Sequence, residues 1–110
     1  MTLNEISEEV FAYSSEKGFH PEEVRAAAGH CRDRQYVATR IALIHSELSE
    51  ALSELREADF QLEAFSLELA DVILRTCDLA KIVGVDLDLA VASKMAYNRG
   101  RAYQHGGRVL

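Results

Sequence analysis

Residues 62–83, LEAFSLELADVILRTCDLAKIV, carry apolar side chains at a helical period with no glycine or proline among them. At about 100° per residue, Leu62, Phe65, Leu69, Val72, Ile73, Leu79 and Val83 cover one broad face, while Leu67, Leu74 and Ile82 fill others. A helix apolar nearly all round is expected to be buried. Gly84 stands where such a helix wants its C-terminal cap. The same stretch holds two carboxylates three residues apart, Glu68 and Asp71. A buried charge is costly without a partner, so each of them needs a cation, a metal or a proton.

Upstream, no glycine or proline interrupts residues 32–57, and Val37, Ile41, Ile44, Leu48, Ala51, Leu52 and Leu55 keep the helical period. The brief break at residues 58–61 makes these two long helices antiparallel neighbours, as in an αα-hairpin. Glu47, Glu50 and Glu54 run beside the apolar face of the first long helix and border the core. Antiparallel packing then brings the pairs Glu47/Glu50 and Glu68/Asp71 to one level.

Outside this hairpin, Thr2 and Glu5 have capping-box spacing before a helix over about residues 3–17. Pro21 opens a short helical piece running towards Ala28 and Gly29. Asp86 caps a last helix over about residues 87–99, and RAYQHGGRVL follows as a flexible tail. No segment alternates apolar and polar residues long enough to make a strand. The expected fold is an all-α bundle of about four to five helices, one domain over residues 1–110.

Folding at 110 residues hides only roughly 60 to 70% of the surface of an unfolded chain, so an oligomer is attractive. Trp is absent and Phe and Tyr number four each, which leaves the core to Leu, Ile, Val and Ala. The net charge of −6 argues against non-specific binding to nucleic acid or to an anionic membrane. A highly charged anionic ligand would need a bridging cation. Cys31 and Cys77 form no CxxC and no Cys/His cluster, so they are expected to be reduced, partly buried thiols rather than zinc or redox ligands. The opening MTLNEISEEV is acidic and lacks a long apolar run; neither a signal peptide nor a membrane span is expected, and the expected location is cytoplasmic.

The spacing of the acidic pairs is weak evidence by itself, because Glu5 with Glu8 and Glu54 with Glu57 share it. What sets the two central pairs apart is their place on core-bordering faces. Mg²⁺ takes oxygen ligands, typically carboxylates completed by waters and substrate phosphates. Four converging carboxylates can hold more than one such ion, and paired metals clamp a phosphate chain for in-line attack. The residues equally fit a structural arrangement in which Glu68 pairs with Arg75 or Arg40 while Glu47 and Glu50 lie on a solvated face. Ferritin-like di-iron sites use Glu-x-x-His, and no glutamate here has a histidine three residues later.

The pattern Glu47-x-x-Glu50 followed by Glu68-x-x-Asp71, in the contexts LIHSELSEALSELR and LELADVILRTCDLA, closely resembles the MazG-like all-α nucleoside triphosphate pyrophosphohydrolases. KMAYNRGRAYQHGG resembles the C-terminal Lys-x-x-x-Asn element and basic tail of that superfamily, so the likeness covers roughly residues 36–108. It implies Mg²⁺-dependent hydrolysis of a nucleoside triphosphate, ribo or deoxy, to monophosphate and pyrophosphate, with Mn²⁺ as a substitute metal. Glu47, Glu50, Glu68 and Asp71 would be the ligands, with Glu47 the first choice for orienting or deprotonating water. Lys94 and Asn98 would contact phosphates or ribose, and Arg101 and Tyr103 would serve from a tail able to close over the triphosphate. Relatives often have proline where this chain has Ala102. The resemblance also implies a homodimer or dimer-based tetramer that clears surplus or non-standard nucleotides.

His45 is expected to pack or to support the site rather than act in it. His20 and His30 are expected as caps or exposed side chains near helix ends. Phe19 and Tyr36 are expected in the core, with stacking on a base as the alternative. A phosphoribosyl-ATP pyrophosphohydrolase and a catalytically silent nucleotide-binding module are the rival functions.

Overall fold

The computed structural model describes residues 1–101 and contains, among them, five helices and no strand. They are α1 (Leu3–Glu16), α2 (Glu22–Ala27), α3 (Arg34–Arg56), α4 (Leu62–Val83) and α5 (Leu87–Arg99). The expected all-α fold is therefore present. The helix ends follow from their local chemistry. The Thr2 hydroxyl accepts from the Glu5 amide at 3.0 Å while the Thr2 amide donates to the Glu5 carboxylate at 2.9 Å, which completes the capping box. The Asp33 carboxylate accepts from the Gln35 and Tyr36 amides, so α3 starts after Asp33 rather than at residue 32.

α3 and α4 form the most extensive helix pair, and α1 packs on α4. Arg40 meets Asp78 and Glu47 meets Arg75, so partner numbers fall along α4 as they rise along α3 and the two helices are antiparallel. α1 buries Ser7, Val10 and Ser14, one side chain every three or four residues; the two serines are small enough for close approach. Its start is latched to α5. The Leu3 and Asn4 amides donate to the Asp88 carboxylate at 2.9 and 3.2 Å, and the Asn4 side chain bridges Asp86 and the Leu87 amide.

The turn between α2 and α3 is stitched to the end of α4. The Cys31 amide donates to the Ile82 carbonyl and the Arg32 guanidinium to that of Val83. Gly84 caps α4 at φ +85, and a Cβ there would overlap the Gly29 carbonyl oxygen. A small core of Val24, Cys31 and Ile82, flanked by Phe11, Ala27, Tyr36 and Val83, closes this end. Both cysteines are buried and free, as expected.

The expectation that α4 is buried all round fails over its first half. Cys77, Asp78, Ala80 and Ile82 are buried, whereas Leu62, Leu67, Leu69 and Ile73 are exposed. The helices packed most extensively on α4 are α3 and α1, and among the described residues the buried part of α4 is its C-terminal half. α3 likewise exposes Ile41, Leu48, Leu52 and Leu55, and α5 buries no residue.

Candidate active site

The α3–α4 hairpin brings Glu47, Glu50 and Glu68 together: each offers a carboxylate oxygen, and these lie within 4.8 Å of one another. Glu47 is buried, Glu68 half-buried and Glu50 exposed. Asp71 falls outside this set. It is exposed one turn along from Glu68, contrary to the expectation of a buried carboxylate, yet it is close enough for its charge to act on Glu68.

Glu68 is held above the ordinary carboxylate range, first by desolvation. The Glu50 carboxyl beside it and the charges of Asp71 and Glu47 push in the same direction. Its Oε2 is buried with no hydrogen-bond partner. An orphaned buried carboxylate oxygen amid like charges fits a divalent cation, and an all-oxygen donor set suits Mg²⁺.

The pairing of Glu68 with Arg75 or Arg40 is not what forms. Arg75 Nε donates to Glu47 Oε1 at 2.7 Å, and Arg40 lies 3.4 Å from Asp78. Asp78 is 3% exposed and also meets His20 Nε2 at 3.0 Å, while His20 Nδ1 is 2.9 Å from the Tyr36 hydroxyl. The Asp78 carboxylate can only accept, so Nε2 of His20 is the donor to it, and Nδ1 is left to the Tyr36 hydroxyl. Phe11 stacks on the imidazole with ring centroids 5.2 Å apart. His20 is therefore a buried linchpin at 2% exposure, not the cap or solvent-facing side chain expected from its place near Pro21. Burial of the Tyr36 hydroxyl raises the phenol pKa above its usual value. His30 is exposed as expected, and His45 is also exposed, which removes its expected packing role.

Beside the acidic cluster lies a cavity of about 370 Å³, walled by Val10, Tyr13 and Ser14 of α1, Phe19, Arg40, and Asp71, Leu74, Arg75 and Asp78 of α4. Phe19 is 64% exposed on its rim, so the expected core role is wrong for it. Tyr36 does pack against the core. Asp71, Arg75 and Asp78 follow one another at helical spacing and make a polar stripe on α4. That spacing is visible in the sequence and marks Arg75 and Asp78, which reading the acidic pairs alone passes over.

Lys94, Asn98 and Arg101 gather on the exposed end of α5. Lys94 Nζ lies 4.9 Å from the Tyr97 ring centroid, and the Arg101 guanidinium donates to Asn98 at 3.3 Å. No hydrogen bond or ion pair joins them to the acidic cluster among the described residues. Tyr103 lies outside the described residues.

Two phage enzymes resemble this chain. Over 63 residues, 57% of this chain and 54% of the relative, it is 36% identical to a dATP/dGTP diphosphohydrolase of Cyanophage S-2L. Over 72 residues, 66% of this chain and 24% of the relative, it is 38% identical to a dATP/dGTP diphosphohydrolase of Salmonella phage PMBT28. The chain thus spans about half the length of the first and about a quarter of the second. No family model matches the chain, and no solved structure matches it. Among the described residues no helix is long and apolar enough to cross a membrane.

Proposed function

We propose that the chain is a MazG-like, Mg²⁺-dependent nucleoside triphosphate pyrophosphohydrolase acting on purine deoxynucleoside triphosphates, in the cytoplasm and in clearance of surplus or non-standard nucleotides. The observation that carries the reading is the convergence of Glu47, Glu50 and Glu68 around a buried, unpartnered Glu68 Oε2. The two phage relatives, dATP/dGTP diphosphohydrolases, supply the substrate class.

Glu47, Glu50 and Glu68 would hold the metal, with Asp71 as a fourth ligand after a rotamer change. Magnesium, when bound, supplies charge neutralisation for the triphosphate and polarises the attacked phosphorus. Glu47 orients the attacking water and takes its proton. The water oxygen bonds to the α-phosphorus, the bond from that phosphorus to the αβ-bridging oxygen breaks, and pyrophosphate leaves with the electron pair. The cavity bordered by Phe19 and Tyr13 takes the base and sugar, because aromatic faces stack on any base. A volume of about 370 Å³ falls in the range of small-molecule sites.

Lys94, Asn98, Arg101 and Tyr103 are assigned to phosphate or ribose. In one chain the first three make no bond to the acidic cluster, which fits a site completed by a second copy. The apolar stripes left open on α3 and α4 supply the surface for that copy.

The deciding experiment is a release assay on dATP, dGTP, dCTP, dTTP, ATP and damaged analogues, with and without Mg²⁺, that identifies both products. Metal-dependent formation of monophosphate plus pyrophosphate, fastest with dATP and dGTP, is expected. Diphosphate plus inorganic phosphate, or binding without turnover, rules the reading out.

A further inference from the structure

Arg75 is the one cation paired with the acidic cluster among the described residues, and it is placed between two sites. Its Nε is bonded to buried Glu47 at 2.7 Å, while its side chain, 38% exposed, forms part of the cavity wall next to Asp71 and Asp78. The charge-assisted bond neutralises Glu47, the carboxylate with the least access to water. A divalent cation on the same cluster would stand beside a guanidinium, and like charges at that range repel strongly in a partly dry site. Arg40 is paired elsewhere, 3.4 Å from Asp78.

A guanidinium has donors on more than one edge and binds phosphate by the same fork that binds carboxylate. The exposed part of Arg75 faces the cavity assigned to the nucleotide. Its flexible stem lets the head leave Glu47 for a phosphate without movement of α4.

We propose that Arg75 is a positioning residue that couples metal to nucleotide: it holds Glu47 in the free protein and releases it when a nucleotide phosphate takes the guanidinium. Free divalent cation therefore binds weakly, and nucleotide tightens it. The coupling rests on the metal and nucleotide reading above. A permanent strut that merely aims Glu47 at the metal makes the opposite prediction, since its removal weakens metal binding.

The test measures Mn²⁺ binding by electron paramagnetic resonance to the wild-type chain, R75Q and R75K, with and without an α,β-methylene dATP analogue. Melting curves by circular dichroism check that each variant is folded. R75Q is expected to bind Mn²⁺ alone about tenfold more tightly than wild type, within the ordinary range of coupling between sites. The analogue should tighten Mn²⁺ in wild type by a similar factor and have much less effect in R75Q. R75K keeps the charge without the fork and should fall between them. Equal or weaker binding of Mn²⁺ alone by R75Q overturns the coupling and leaves the metal site standing. Absence of Mn²⁺ binding in every arm, nucleotide included, overturns the metal site and the role of Arg75 with it.

Discussion

Glu68 has a buried oxygen without a partner and three like charges around it, so an amide in its place removes repulsion while leaving the shape unchanged. Glu68→Gln is expected to lower Mg²⁺-dependent pyrophosphate release by at least about 100-fold, beyond the usual loss from outer-shell changes. The same variant should melt no lower than wild type in metal-free buffer; retained turnover would end the assignment of Glu68. Phe19 owes its exposure to the loop after α1, where it borders the cavity. Phe19→Ala should raise KM for dATP about tenfold with kcat little changed, as loss of one stacking contact costs roughly 1–3 kcal/mol. An unchanged KM would remove Phe19 from the site. The acidic pairs were legible because helical spacing maps residues onto faces. The partners of Arg75 and Arg40 were not, because both lie across α3 and α4 and either arginine can reach several carboxylates.

The helices can be read from their punctuation: a capping box at Thr2 and Glu5, Asp33 and Asp86 at later starts, and Gly84 at an end. Gly84 does more than stop α4, since the Gly29 carbonyl occupies the space a Cβ needs. Gly84→Ala should therefore cost more than the roughly 1–3 kcal/mol of a non-glycine residue in a left-handed conformation, and lower the urea midpoint. The α1–α5 latch has an electrostatic side. The Asn4 side chain, then the Leu89 amide, hold the Asp86 carboxyl below its ordinary value of 3.8. With a depressed folded value, its contribution is present above the unfolded pKa and is lost as pH falls through the folded one. Melting temperatures taken from pH 6 to pH 2 should fall less steeply below about pH 4 in Asp86→Asn, which keeps a capping side chain without the titrating charge. Identical acid limbs would contradict that role. The latch itself was hidden from the sequence, because nothing local links Asn4 to residues 86–88.

At the scale of the molecule, α3 and α4 make a hairpin whose covered side carries the polar stripe and whose open sides carry Leu52, Leu55, Leu62, Leu69 and Ile73. An apolar surface of this kind on a chain this short is expected to be buried between copies. Analytical ultracentrifugation should find the wild-type chain as a dimer or larger, and L52E with L55E as a folded monomer with reduced turnover. A wild-type monomer at micromolar concentration would remove the second copy from the proposal. The sequence by itself determined the helices, their ends and the antiparallel hairpin, because helix period, caps and loop length are local quantities. It also brought Glu47, Glu50 and Glu68 to facing sides, while Asp71, expected with them, stands outside the set. Only the tertiary structure decided that Glu68 lacks a partner, that Arg75 serves Glu47, that His20 is buried on Asp78, and that α4 is half open. Each of these depends on which atoms a side chain meets across helices, and its cost or gain is set by burial at that point rather than by its neighbours in sequence.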